Sequence, residues 1–291
     1  MNKYQCALQY RQADRSSVLP SRLIGRIVGS AFLGAALVMG TPGLAASQSS
    51  TESGTGTGWQ YEITPYLWTA GMKGSAATAK LPKTTVDMGF SDVLDVMDFA
   101  AMGAFEARKD RWGFLVDAQY IKVSDAATAS RVDQAGATLT VGATAKVKQT
   151  MLAGAAFYRV AEGPVPVDVI GGLRYIDLNV DATIDASLYG PVAGVANSVF
   201  RSGSKSWTDP YIGVRVQYPV NNRWTLDGYL DVGGTGSDST SYQAVVGANY
   251  QYSKTISGKF GYRYLKMDYD KSGFVYDIQT SGLYVGLGFR F

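Results

Sequence analysis

The sequence predicts an all-β fold: a single antiparallel up-and-down transmembrane β-barrel of about ten strands, with eight as the alternative. Three observations carry that expectation. Apolar residues recur with period two from Trp59 to the C-terminus, with no sustained 3.6-residue pattern. Short, turn-like connections alternate with longer ones. Aromatic residues gather toward the ends of the alternating runs.

Strands are expected near 59–72, 98–109, 111–123, 144–160, 166–183, 207–218, 223–234, 241–252, 255–268 and 276–291. Each is close to the 9–11 residues that a tilted membrane strand requires. The last run is the clearest. Leu283, Val285, Leu287, Phe289 and Phe291 form one apolar face, while Gly282, Tyr284, Gly286, Gly288 and Arg290 form the other. The turns Lys109-Asp110, Glu162-Gly163-Pro164, Pro219-Val220-Asn221-Asn222 and Ser253-Lys254 are short. The alternate connections, about 73–97, 124–143, 184–206, 235–240 and 269–275, read as longer loops. Short turns at one end and longer loops at the other place both termini at the short-turn end, which in an outer-membrane barrel is the periplasmic side.

The segment before the barrel reads as a leader. Ile27 to Met39 is a thirteen-residue uncharged apolar run, preceded by Lys3, Arg11, Arg15, Arg22 and Arg26. It is followed by small residues at Gly43 and Ala45. That arrangement is a secretory signal peptide over residues 1–45, since thirteen residues fall short of the roughly 20 a spanning helix needs. Residues 46–58, polar and rich in Gly, Ser and Thr, read as a flexible leader to a barrel over 59–291. Removing 1–45 turns a net charge of +3 into 22 bases against 23 acids. No case for nucleic acid survives that balance. The one cysteine, Cys6, goes with the signal.

Alternation alone does not say which face is wet. Trp59, Tyr61, Trp112, Tyr120, Tyr158, Tyr218, Trp224, Tyr250 and Tyr252 lie toward strand ends on the apolar face, as interfacial girdles do. The opposite face carries Glu62, Glu106, Asp117, Asp168, Asp227 and Asp231 against Arg108, Arg159, Arg174, Arg215, Lys259, Arg263 and Arg290, among many glycines. Six acids and seven bases among small residues suit a narrow interior, where charges pair and glycine relieves crowding. These thirteen are the candidate lumen charges. Asp227 and Asp231 are expected to serve as counter-ions for Arg215, Lys259 and Arg263 on adjacent strands.

The ending Tyr284-Val285-Gly286-Leu287-Gly288-Phe289-Arg290-Phe291 resembles the C-terminal strand by which outer-membrane proteins meet the barrel-assembly machinery. With Pro65-Tyr66-Leu67-Trp68 and Phe90-Ser91-Asp92-Val93-Leu94-Asp95, the chain resembles a family of uncharacterised porin-like barrels of the Gram-negative outer membrane. The resemblance implies Tyr284, Phe289 and Phe291 as the assembly signal. It also implies outer-membrane lipid and lipopolysaccharide as surroundings, and no established activity.

The chain has no histidine. Ser-His-acid and Asp-His hydrolysis are therefore excluded, and with no mature cysteine an enzyme is not expected. Ser204-Lys205 and Ser253-Lys254 point to opposite faces if extended. Asp227 and Asp231 are spaced roughly 13 Å apart along a strand, too far for a shared proton. In the first long loop, Asp87, Asp92, Asp95 and Asp98 surround a segment in which Ser91 is expected to cap a short helix, with Val93, Leu94, Val96 and Met97 on one side. The aspartate spacing is not that of a calcium loop, so neither metal nor cofactor is expected. Tyr189, Phe200, Arg201 and Lys205 in the third long loop suit an extracellular contact surface. The functional expectation is a monomeric, porin-like barrel that forms a narrow passive channel for small solutes or ions. The alternative is a non-conducting structural or interaction barrel that presents its outer loops.

Overall fold

The computed structural model describes residues 58–78, 81–132, 136–190 and 194–291. The signal peptide and residues 46–57 of the leader lie outside them. Eleven strands run in chain order: β1 (Gln60–Thr78), β2 (Leu81–Met88), β3 (Met97–Lys109), β4 (Trp112–Val132), β5 (Thr138–Ala161), β6 (Val167–Tyr189), β7 (Gly194–Pro219), β8 (Trp224–Gly234), β9 (Ser239–Gln251), β10 (Ile256–Lys271) and β11 (Phe274–Arg290). One short helix, α1 (Phe90–Val96), sits between β2 and β3.

Ten of the strands close a ring. Neighbours from β3 to β11 pair antiparallel in sequence order. β1 pairs with β11 from Glu62↔Arg290 to Ala77↔Val275, and with β3 from Gln60↔Arg108 to Pro65↔Gly103. β2 is an eleventh strand outside the count of the ring. It pairs with the far half of β1, from Met72↔Met88 to Thr78↔Leu81. The chain then crosses through α1 and returns as β3. Both ends of the closure, Gln60 and Arg290, lie at one rim, called here the lower end.

Three expectations change. Residues 124–143, 184–206 and 269–275 are not long loops, because β4 pairs with β5 up to Val132↔Thr138, β6 with β7 up to Tyr189↔Gly194 and β10 with β11 up to Lys271↔Phe274. The 73–97 connection is a hairpin plus helix. Ser91 does not cap that helix: it lies inside α1, and Asp92 reaches back to accept a 2.9 Å hydrogen bond from the Gly89 N–H. Val93 is buried, but Leu94 is exposed.

The strands outgrow the expected spans, and their faces exchange roles partway up. In the lower half of β6, Val169, Leu173 and Tyr175 face outward and Asp168 and Arg174 face inward. Above Tyr175 the same strand turns Asp177, Asn179 and Asp181 outward and buries Ile176, Leu178 and Val180. β5 does the same, with Leu152 outward below and Lys146 and Lys148 outward above, over buried Val147. The expected strands 144–160 and 166–183 already include this inverted stretch; only the ends beyond it, 138–143 and 184–189, read as loop.

The lower outer wall is apolar and unpaired with protein. Ile212 is 67% exposed, Val246 64% and Leu283 63%. Two rows of aromatics bound it. At the lower end Trp112 packs on Tyr158 and Trp224 on Tyr250, both at 4.8 Å between ring centres, and Tyr61 stacks on Phe291 at 5.8 Å. At the upper level Phe99 meets Tyr120 and Tyr242 stacks on Tyr264. Eight residues separate Trp112 from Tyr120 and Tyr242 from Tyr250. That is about 26 Å along a strand, or about 20 Å along the barrel axis at a tilt of 35–45°, so the two rows sit just inside the edges of an apolar band about 25 Å tall. The strands make this a transmembrane barrel.

Candidate functional site: the barrel interior

The inward face holds three storeys, each built from strands distant in sequence. The lowest is ionic. Asp168 on β6 is fully buried and is held by three guanidinium groups. Arg159 donates from Nε at 2.7 Å and from Nη2 at 3.2 Å. Arg215 donates from Nε at 3.0 Å and from Nη2 at 2.8 Å, and Arg108 from Nη2 at 3.4 Å. Glu106 on β3 accepts from Arg215 Nη1 and Arg108 Nη2, both at 2.8 Å. The Arg108 and Arg215 guanidiniums also lie over the ring of Phe157, at 4.7 and 4.8 Å. That ring occupies the space beside Gly113, its partner on β4, where a side chain would collide with it. At the rim, Glu62 accepts from Lys259 and, at 2.9 Å, from Arg290.

The middle storey combines arginine, tyrosine and amide. Arg263 on β10 reaches Asp117 on β4 at 2.9 Å, while Tyr66 on β1 donates to the same carboxylate at 2.5 Å. Arg263 Nε donates to Gln243 at 2.8 Å, and its guanidinium lies over Trp68 at 4.8 Å. On the other side, Arg174 reaches Asp231 at 2.8 Å and Ser241 at 3.1 Å. Tyr229 and Gln243 also donate to Asp231, at 2.7 and 2.9 Å. A cavity of about 230 Å³ lies among Tyr66, Tyr211, Tyr229, Tyr284 and these ions.

The upper storey is apolar. Trp68, Val93, Val123, Met151, Leu265 and Ile278 belong to one contiguous buried cluster. Trp207 stacks on Tyr269 at 4.5 Å within it. α1 contributes Val93 to this cluster, so the helix closes the wall where β2 has no further strand beside it among the described residues.

All thirteen sequence-selected charges sit on the inward face, but they do not pair as the sequence suggested. Asp227 accepts from the amides of Gln217 and Asn249, not from a base. Asp231 takes Arg174, two strands away. Arg215 instead serves Glu106 and Asp168, Lys259 serves Glu62, and Arg263 serves Asp117. Long guanidinium arms cross the bore, so adjacency in the sheet does not decide who meets whom. Tyr284 faces inward across Gly247 and Gly261, which leave room for its ring. Phe289 and Phe291 face outward and are exposed. Sequence reasoning missed Tyr66, Tyr211, Tyr229, Gln217 and Gln243. Their inward parity was readable, but their role depends on which ions stand across the bore.

The acidic loop residues separate. Asp87 bridges Lys73 at 3.4 Å, Asp98 bridges Lys122 at 3.0 Å and accepts from Ser124, and Asp92 serves α1. Among the described residues no group of three or more metal-ligating side chains converges. Arg201 is exposed, donating to the Phe200 carbonyl, and Lys205 lies over the Tyr269 ring at 5.4 Å.

Charge pairs therefore tie β3 to β7 and β4 to β10 across the ring, beneath an apolar plug. The bore is closed.

No protein-family model matches the chain, and no curated protein matches it. Solved structures do resemble it. They include the outer membrane protease OmpT from Escherichia coli, at 12% identity and a TM-score of 0.47, covering 81% of this chain and 98% of that one. The translocator domain of the autotransporter NalP from Neisseria meningitidis is 14% identical with a TM-score of 0.34, covering 81% and 89%. A major outer membrane protein from Thermus thermophilus is 15% identical with a TM-score of 0.28, covering 79% and 99%. Likenesses at this level bring no activity with them. The barrel assignment rests on the chain's own strand pairing.

Proposed function

We propose that the chain is an outer-membrane barrel that does not conduct in this state and that works through its protruding upper half, as a structural or interaction protein. One observation carries the reading. The bore is crossed by hydrogen-bonded ion pairs at two levels, Arg215–Glu106 and Arg263–Asp117, and capped by the Trp68 cluster above them. Opening a pore would strand buried charges without partners, which costs several kcal/mol for each pair broken. The narrow-channel reading requires such an opening. A ten-stranded ring is also narrow enough for side chains to fill nearly all of it.

The upper half supports the same reading. β5, β6 and β7 continue far above the upper aromatic row, and Tyr189, Val195, Phe200 and Arg201 are exposed there. The signal segment and the apolar outward row of β11 fit export and insertion into the outer membrane, with the lower end toward the periplasm and lipopolysaccharide around the upper girdle. Single-channel recording of the refolded protein in a planar bilayer tests the claim. Silence from a sample shown to be folded is the expected result; discrete, reproducible steps would overturn it.

A further inference from the structure

We propose that the lower end of the barrel holds an oxyanion site: a vestibule that takes a small phosphate- or carboxylate-bearing solute on Arg108, Arg159 and Arg290. The vestibule has a volume of about 410 Å³ and lies among the lower strand ends, with Gln60, Tyr61, Gln251 and Arg290 in its wall. Its lining includes five bases, Arg108, Arg159, Arg215, Lys259 and Arg290, and three acids, Glu62, Glu106 and Asp227.

The ion pairs leave a surplus of positive charge. In the first cluster Arg108, Arg159 and Arg215 share two carboxylates, Glu106 and Asp168. In the second, Lys259 and Arg290 share only Glu62. Each cluster therefore carries one base more than it has acids. Asp227 lines the same vestibule, held by the amides of Gln217 and Asn249 and without an ion-pair partner among the described residues, so five bases face four acids and the net surplus is one positive charge.

Donors remain as well as charge. Arg215 uses Nε, Nη1 and Nη2 on protein carboxylates. Arg108 and Arg159 use Nε and Nη2, which leaves each Nη1 without a protein acceptor among the described residues. Arg290 commits only Nη2. Asp168 and Phe157 hold the Arg108 side of this arrangement rigid, so little side-chain order remains to be lost on binding. Planar guanidinium forks with free donors, surplus positive charge and a partly desolvated wall select an oxyanion over a neutral solute or a cation. The site does not depend on whether the bore conducts, or on which membrane the barrel occupies.

Isothermal titration of the intact, folded chain in a non-ionic detergent at low salt tests it, with inorganic phosphate in one arm and succinate in the other. Saturable binding is expected, and the arm that binds more tightly names the solute class. Arg159→Gln should weaken it about tenfold, the scale of one charge-assisted hydrogen bond. Arg290→Gln leaves the Asp168 cluster intact and should weaken binding about threefold, so the test stands even if Arg159→Gln does not fold. No saturable heat in either arm, or an affinity that survives both substitutions, overturns the site. Conductance recording is a separate readout, so failure here and failure of the closed-barrel reading are distinguishable.

Discussion

The lower and upper halves of β6 obey opposite rules within one continuous strand. Up to Tyr175, Val169, Leu173 and Tyr175 face out, and Asp168 and Arg174 face in beside a single inward isoleucine, Ile170; above it Ile176 and Leu178 face in and Asp177 and Asn179 face out. The backbone does not change, and the pairing register with β5 runs unbroken from Tyr158↔Val169 to Thr138↔Tyr189. What changes is the solvent. Lipid outside the lower half rewards outward leucine, and water outside the upper half rewards outward aspartate. A strand therefore shows where the bilayer ends by the point at which its polarity inverts.

Removing a charge from the lower interior should have the largest effect. Asp168 satisfies three arginines, so Asp168→Asn should destabilise the barrel by about 3–5 kcal/mol, as loss of one member of a buried ion network does. Denaturant-induced unfolding followed by tryptophan fluorescence would measure it. A change below about 1 kcal/mol would mean that water, not Asp168, satisfies those guanidiniums.

A matched pair of substitutions sharpens the inversion itself. Leu230, outward on β8 and 58% exposed, should tolerate lysine poorly in a bilayer, losing about 2–4 kcal/mol. Asn179, outward on the upper half of β6, should accept lysine within about 0.5 kcal/mol. Leu178, its buried neighbour, should lose about 2–5 kcal/mol on truncation to alanine. Equal costs at Leu230 and Asn179, measured by folding into vesicles, would put the bilayer boundary in the wrong place.

The smallest effect lies at a lower turn. Glu162 accepts a 2.6 Å hydrogen bond from Arg111, and this bond holds its carboxyl below the usual carboxylate range. Because the folded value is lowered, the pair stabilises the barrel above the unfolded value and loses that stabilisation as pH falls through the folded one. At low salt, wild type should therefore lose slightly more thermal stability than Glu162→Gln between about pH 5 and pH 3. Salt should erase the difference, since both groups are exposed. A difference that persists in high salt would mean the pair is shielded from solvent.

How much was readable follows from where an apolar face persists. The ten ring strands were legible because each carries a lipid-facing apolar row, bounded on some strands by aromatic ends as Trp112 and Tyr120 bound it on β4. The extensions to Val132 and Tyr189, and the β1–β2 hairpin, were not. The hairpin turns Val86 into a cluster made of distant pieces such as Trp68, Val93 and Leu265, while the extensions leave Val132, Ile184, Leu188 and Tyr189 exposed with no consistent apolar face. The inward charges were legible by parity, but their partners were not.

By itself, the sequence determined the period-two barrel, a strand count of about ten with eight left open, and the polar, glycine-rich character of the inner face, because local alternation fixes which side each residue takes. Only the tertiary structure decided which charges meet across the bore. Arg263 meets Asp117 across 146 residues of chain and Arg215 meets Glu106 across 109. Those meetings depend on the register of strands on opposite sides of the ring and on the reach of an arginine across it, and no local pattern encodes either.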